Sequence, residues 1–288
     1  MLAERDLVRV MLYDRDPDTA RYLASDLAET LFGGGYTTRI SAVEQMSDLA
    51  RCDVILLAAG ERRDRFSDAS AVKPLFEANL PLLREMAETF TGTSSIFVIA
   101  SEPVDLLTAE LARMLRLPFS RVLGVGGVLD AYRLRYLLSE AMQFNPDYIR
   151  SQVIGPHDHR VLPLWDYTSI NGVPIRSIVE PELLARLEKT MEENTGVAVR
   201  PGSSSRYAPA IACVDLLDAI LRDDRRILSA TVLWETSPGA SAVAMGVPCV
   251  IGRLGAERII VPRLSGTAQT MIDEAARSYG EILKGAQA

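Results

Sequence analysis

The sequence predicts a doubly wound parallel α/β sheet through about residue 145 and an α+β unit after it. Three observations carry this expectation. Short β-branched runs alternate with amphipathic stretches between residues 7 and 142, the rhythm of successive βαβ units. One of these runs, "DVILLAA" (53–59), is apolar almost throughout, which suits a parallel strand covered on both faces. Beyond residue 145 the alternation gives way to strands followed by long helices.

Taken in order, "LVRVMLYD" (7–14) reads as a buried strand. "DPDTARYLASDLAETL" (16–31) follows as a helix, opened by an Asp-Pro cap and closed by the turn Gly33, Gly34, Gly35. "TTRIS" is a short strand, and 53–59 is the next. A helix is expected over roughly 73–92, then the strand "SIFVIA" (95–100), a helix over 104–115, the strand "RVLGV" (121–125) and the helix "LDAYRLRYLLSEAM" (129–142). The second half should hold strands within 151–164, a hairpin at "TSINGVPIRSI", helices at 181–194 and 208–222, strands near 226–235 and 247–261, and a last helix at 266–284. Two domains are therefore expected, 1–145 and 146–288.

Composition narrows the function classes. With 288 residues the chain can bury a large core, and 48% hydrophobic with 24% charged residues is ordinary for a globular protein. A formal net charge of -7 argues against a nucleic-acid partner, because phosphate binding needs concentrated Lys and Arg. Cys52, Cys213 and Cys249 are odd in number and far apart, so neither a disulfide framework nor a zinc knuckle is expected, and a reducing cytoplasm is the natural setting. The N-terminus has no apolar leader-like run, and no stretch approaches the ~18 apolar residues of a membrane helix.

Two stretches could carry chemistry. "GVGGVLDAYRLRYLL" runs from a strand into a helix, and Gly124, Gly126 and Gly127 make either a tight turn or a set of backbone donors for an anion. Asp130 and Arg133 lie three apart on one helical face, as a surface ion pair or as a carboxylate that orients a histidine beside a guanidinium that grips a carboxylate. "VIGPHDHRVLPLW" (153–165) holds both histidines of the chain, His157 and His159. At strand spacing they would share a side, but zinc needs further ligands and the sequence offers no other histidine and no paired cysteine, so no metal is expected. One histidine acting in acid/base chemistry is the more economical reading.

These stretches together resemble the lactate/malate dehydrogenase family. "VIGPHDHRVLPLW" resembles its G-E-H-G-D-S…V-P-L-W segment, "GVGGVLDAYRLRYLL" its G-x-G-x-x-L-D-S-A-R-F-R, and "SEPVDLLT" (101–108) its T-N-P-V-D-x-x-T. "SSRYAPA" resembles S-A-Y-Y-A-P-A, and "MGVPCVIGRLGAERII" the family's C-terminal G-V-P motif, so the likeness runs along nearly the whole chain. The resemblance implies His157 as the acid/base, Asp130 as its partner, Arg133, Arg63 and Ser205 as substrate contacts, Asp14 at the position that meets the adenosine ribose, and NAD as cofactor.

Four departures set expectations of their own. The family opens with a strand and a G-x-G-x-x-G loop, and this chain aligns from the second strand onward, so an incomplete Rossmann-type sheet and weakened NAD binding are expected unless residues upstream of Met1 supply them. Counting back from Asn79, the second arginine of the mobile loop falls on Val72, beside Lys73. Glu102 stands where the family has a substrate-binding asparagine. In "GPHDHR", Asp158 charges the turn and His159 replaces an aspartate; no role is assigned to His159.

The expectation is thus a malate-dehydrogenase-like protein that keeps a small-carboxylate pocket while its NAD-dependent turnover is impaired or lost. It would act as a binding or assembly subunit in a homo-oligomer or beside a paralogue. The competing expectation is a working NAD-dependent dehydrogenase of malate or a related 2-hydroxy acid.

Overall fold

The computed structural model describes residues 9–61, 72–197, 207–237 and 239–286. The first half folds as β1 (Arg9–Leu12), α1 (Pro17–Gly33), β2 (Arg39–Ala42), β3 (Val54–Leu57), α2 (Val72–Thr89), β4 (Ile96–Ile99), α3 (Val104–Leu115), β5 (Val122–Gly124) and α4 (Gly126–Met142). The cap of α1 forms as the sequence predicts: the Asp16 side chain accepts from the Asp18 amide, Pro17 opens the helix and Gly34 ends it. β3, β4 and β5 pair in parallel, and β4 is buried along its whole length, which explains its apolar sequence.

The second half adds β6 (Ile149–Arg150), β7 (Val153–Ile154), β8 (Leu162–Pro163), β9 (Ser169–Ile170), β10 (Val173–Pro174), α5 (Pro181–Val197), α6 (Tyr207–Arg222), β11 (Arg226–Trp234), β12 (Val243–Gly252), β13 (Gly255–Ile259) and α7 (Gly266–Gly285). β11 continues the first sheet, with Thr231 opposite Gly124 in an antiparallel pairing. The result is one mixed six-stranded sheet in the order β13-β12-β11-β5-β4-β3. β1 and β2 form a separate parallel pair, and among the described residues neither is hydrogen-bonded to β3. No helix among the described residues is long and apolar enough to cross a membrane.

Two expected elements come out differently. The stretch 247–261 is the end of one strand and the whole of another, because Gly255 turns the chain with φ 90° and a Cβ there would meet Ser120 O at 1.8 Å. The stretch 151–164 holds two strands, β7 and β8, as expected, but the histidines do not fall at strand spacing. It is broken between β7 and β8 by Gly155, at φ 116°, and Pro156, so "HDH" lies in a turn and its two histidines do not share a strand face.

The main core surrounds the six-stranded sheet, with Phe76, Phe97, Leu107, Leu123 and Leu216 essentially inaccessible. A second core joins Leu134 and Leu138 of α4 to Ile149, Trp165 and Leu184. α4 therefore serves both cores, with its first turn against β11 and its later turns against β6 and α5. That fixes the height and rotation of the face bearing Asp130 and Arg133.

Candidate active site

α4 reaches its position through two glycines in its first turn. A Cβ on Gly127 would stand 2.4 Å from Ser229 O, and one on Gly126 would stand 2.8 Å from the His157 Cβ. Gly126 and Gly127, for which the sequence allows a tight turn or an anion site, are thus helical, and their lack of side chains lets α4 close on β11 and on the histidine turn. Gly124 admits Val104 and Thr108 of α3 in the same way, at 2.7 and 2.8 Å from a built Cβ.

This packing brings Asp130, Arg133 and His157 together. Asp130 is fully buried and divides its oxygens: Oδ1 accepts from Arg133 Nη1 at 2.8 Å, and Oδ2 meets His157 Nδ1 at 2.7 Å. The imidazole side chain is 11% exposed and Arg133 26%, so both can be reached from outside while their anchor cannot. With Nδ1 on a carboxylate, Nε2 is the atom left to exchange a proton with a ligand. Burial alone would push the imidazole down, but the Asp130 charge and hydrogen bond, helped by Glu102 and opposed by Arg133, raise it to about 9.

A second carboxylate approaches the histidine from α3. Asp105 is buried, accepts the His157 backbone amide at 2.7 Å and takes a hydrogen bond from Thr231 Oγ1 at 2.9 Å. Burial pushes its acid up to about 7, against the pull of His157 and these two donors, and Asp158 raises it further. The sequence signal for Asp105 was present in "SEPVDLLT", where it opens a helix, but nothing local assigns it to the histidine.

A cleft beside His157 is lined by Val72 and Leu75 from α2, by Glu102 through Asp105, by Asp158, and by Tyr279 from α7. Among the described residues that line it, none is Arg or Lys. Val72, at the counted position of the second loop arginine, presents an apolar side chain, while the neighbouring Lys73 pairs with Glu77 at 3.8 Å. Asn79 fastens the rim: its Oδ1 accepts from the Glu61 amide at 2.7 Å, and its Nδ2 donates to Leu75 O at 3.1 Å and Glu102 O at 3.0 Å. Asn79 is buried, and sequence reading used it only as a counting mark.

The remaining expected site residues fall elsewhere. Asp14 follows β1, exposed, with Oδ1 accepting from the Asp16 amide at 2.9 Å, away from the histidine cleft. Arg63 and Ser205 lie outside the described residues. His159 is exposed, and among the described residues no group of three or more His, Cys, Asp or Glu side chains could hold a metal ion.

A sequence profile of the lactate/malate dehydrogenase alpha/beta C-terminal domain matches residues 127–287. The malate dehydrogenase of Thioalkalivibrio sulfidiphilus is 30% identical over 278 residues, spanning 95% of this chain and 90% of that one. The structure of malate dehydrogenase from Aeropyrum pernix is 28% identical with a TM-score of 0.88, over 99% of this chain and 92% of that one. Lactate dehydrogenase from Cryptosporidium parvum, solved with lactic acid and nicotinamide adenine dinucleotide, shares the fold at a TM-score of 0.88 and 23% identity, over 99% of this chain and 92% of that one. The profile alone spans more than half of the chain, and the full-length likeness agrees with it: the chain belongs to the lactate/malate dehydrogenase family.

Proposed function

We propose that this protein holds a small 2-oxo or 2-hydroxy acid against His157, Asp130 and Arg133, turns it over with NAD poorly or not at all, and acts as a binding or assembly subunit. The lining of the cleft carries this reading. By the family resemblance Glu102 and Val72 stand where a substrate carboxylate and carbonyl would meet an amide and a guanidinium, so among the described residues that line the cleft none is a guanidinium to polarise the carbonyl. Arg133, already shared with Asp130, remains to grip one carboxylate.

The described residues fit NAD only at its adenosine end. Asp14 is exposed at the end of β1 and suits a ribose hydroxyl. The first turn of α1 beside it carries Asp16, whose carboxylate already takes the Asp18 amide at 3.1 Å and Thr19 Oγ1 at 2.7 Å, so this helix start does not suit a diphosphate. The glycines at the start of α4 are buried, Gly126 against His157 and Gly127 against Ser229 and Gly246. When bound in a dehydrogenase, NAD supplies the hydride acceptor; here the chain's own residues orient a ligand carboxylate and hold or deliver a proton at His157 Nε2. The free thiols Cys52, Cys213 and Cys249 support a reducing, cytoplasmic setting.

The intact His157–Asp130 pair favours a second reading, a working NAD-dependent malate-type dehydrogenase. One experiment separates the two. NADH titrated into purified protein should give no saturable fluorescence change at sub-millimolar cofactor, and oxaloacetate should drive no NADH oxidation above background. A micromolar dissociation constant with oxaloacetate-dependent oxidation that His157→Ala abolishes would establish the second reading in place of the first.

A further inference from the structure

The turn that carries His157 is tied to the last helix by a cluster at the edge of the cleft, whose Asp158 and Tyr279 also line the pocket while Arg160 stands behind them. Asp158 accepts from the Arg160 amide at 2.8 Å and from Arg160 Nε at 3.1 Å, and Arg160 Nη2 also bonds its Oδ2. From α7, Tyr279 puts its ring 5.3 Å from the Arg160 guanidinium carbon and its hydroxyl donates to Asp158 Oδ2 at 3.3 Å. Ser278 Oγ accepts from Arg160 Nη1 at 3.4 Å. Tyr279 is 5% exposed, and the side chains of Asp158 and Arg160 are 17% and 24% exposed, so the cluster is shielded from solvent and its contacts are worth more than those of a surface pair.

We propose that Arg160 and Tyr279, acting through Asp158, are positioning residues that hold the His157 ring on Asp130. The backbone argument is direct. Asp105 fixes the turn at the His157 amide, the Gly155–Gly246 bridge, with both bonds at 2.9 Å, fixes its entrance, and the pairing of Leu162 with Ile154 fixes its exit. Between these, Asp158 is held by its own amide on Pro156 O at 2.8 Å, by the 3.2 Å bond from the Val161 amide to its carbonyl, and by the side-chain cluster. A turn fastened at both ends can still rock at its tip, which carries the ring away from Asp130. The Asp158–Arg160–Tyr279 cluster removes that freedom and makes the docking of α7 part of the site. Asp158 and Arg160 are paired and of opposite sign, so removing both leaves the net charge beside the imidazole unchanged; the charges that act on it most are Asp130, Glu102 and Arg133, with Asp105 also interacting with it.

This rests on reading His157 as the acid/base, but the test reads the imidazole itself and needs no turnover. In a His159→Gln background the chain keeps one histidine, whose ring proton shifts are followed by NMR against pH. The parent should titrate near 9. Asp158→Ala with Arg160→Ala removes one charge of each sign and should lower the midpoint by about one unit or more towards the free-histidine value near 6.5. Arg160→Lys, which keeps the charge, should stay close to the parent. Tyr279→Leu, the milder change if the double variant does not fold, should give a smaller fall of the same sign. A midpoint equal to the parent's in every folded variant, whatever happens to Tm, would reduce the cluster to a fastening for α7 and overturn the proposal. Absence of dehydrogenase activity, by contrast, bears only on the function proposed above.

Discussion

His157 shows how one contact sets both chemistry and stability. Its imidazole is raised to about 9 in the folded chain and returns to about 6.5 when unfolded, so the folded state binds the proton more tightly. The stabilisation is complete below pH 6.5 and is lost as pH rises through 9, and it amounts to about 3 kcal/mol from the difference between the two values. The expected outcome is a Tm that declines between pH 6.5 and 9 in the parent and declines less in His157→Gln, measured by calorimetry; parallel curves would contradict the assignment. Asp105, raised to about 7, adds a loss of its own between its unfolded value near 3.9 and pH 7, so the comparison is made above pH 7, where that step is largely past. At neutral pH the imidazole is cationic and suited to give a proton to a carbonyl oxygen rather than to take one from a hydroxyl.

At the scale of elements, the site depends on how closely α4 approaches β11. Gly127→Ala places a methyl 2.4 Å from the Ser229 carbonyl, and a backbone oxygen in a paired strand cannot give way. The helix has to lift, at a cost of about 1–3 kcal/mol, and Asp130 lifts with it. Denaturant unfolding should show that loss, with the His157 titration midpoint falling in the same variant; an unchanged stability would mean that α4 can be reseated without penalty. These elements also show what was legible in the sequence. Asp130, Arg133 and His157 are singled out together by the resemblance to family motifs, since locally a surface ion pair stays open, whereas the apolar strands and capped helices could be read because their residue types are tied to local backbone. The break at Gly155–Pro156 and the helical state of Gly126 and Gly127 could not, because they are set by His157, Ser229 and Gly246, residues distant in the chain. Tyr279 gave no signal at all: it lies 121 residues from Asp158 in a helix whose pattern is ordinary amphipathy.

For the whole molecule, the question is what completes the β1–β2 pair. A two-stranded ribbon is marginal alone; here α1 packs on β2, Cys52 Sγ reaches Met11 Sδ of β1 at 3.7 Å, and the buried residues of α1 are Ala20, Ala24 and Leu31. Two of those three buried residues are alanines, which bury little area. The outer side of α1 leaves Tyr22 70%, Leu23 44% and Leu27 40% exposed, with the two leucines four residues apart on one face. Burying that face against another subunit would supply the apolar contact that the ribbon lacks, which supports the proposed homo-oligomer or pairing with a paralogue. Light scattering at micromolar concentration should therefore give a mass of at least twice that of the chain. Leu23→Glu combined with Leu27→Glu should shift the mass towards the monomer with the far-ultraviolet circular dichroism retained, since neither side chain contributes to the buried cores. A parent that is monomeric at that concentration would leave α1 as a tolerated apolar surface and remove the assembly role from the proposed function. A variant that keeps the parent's mass would move the interface to another face.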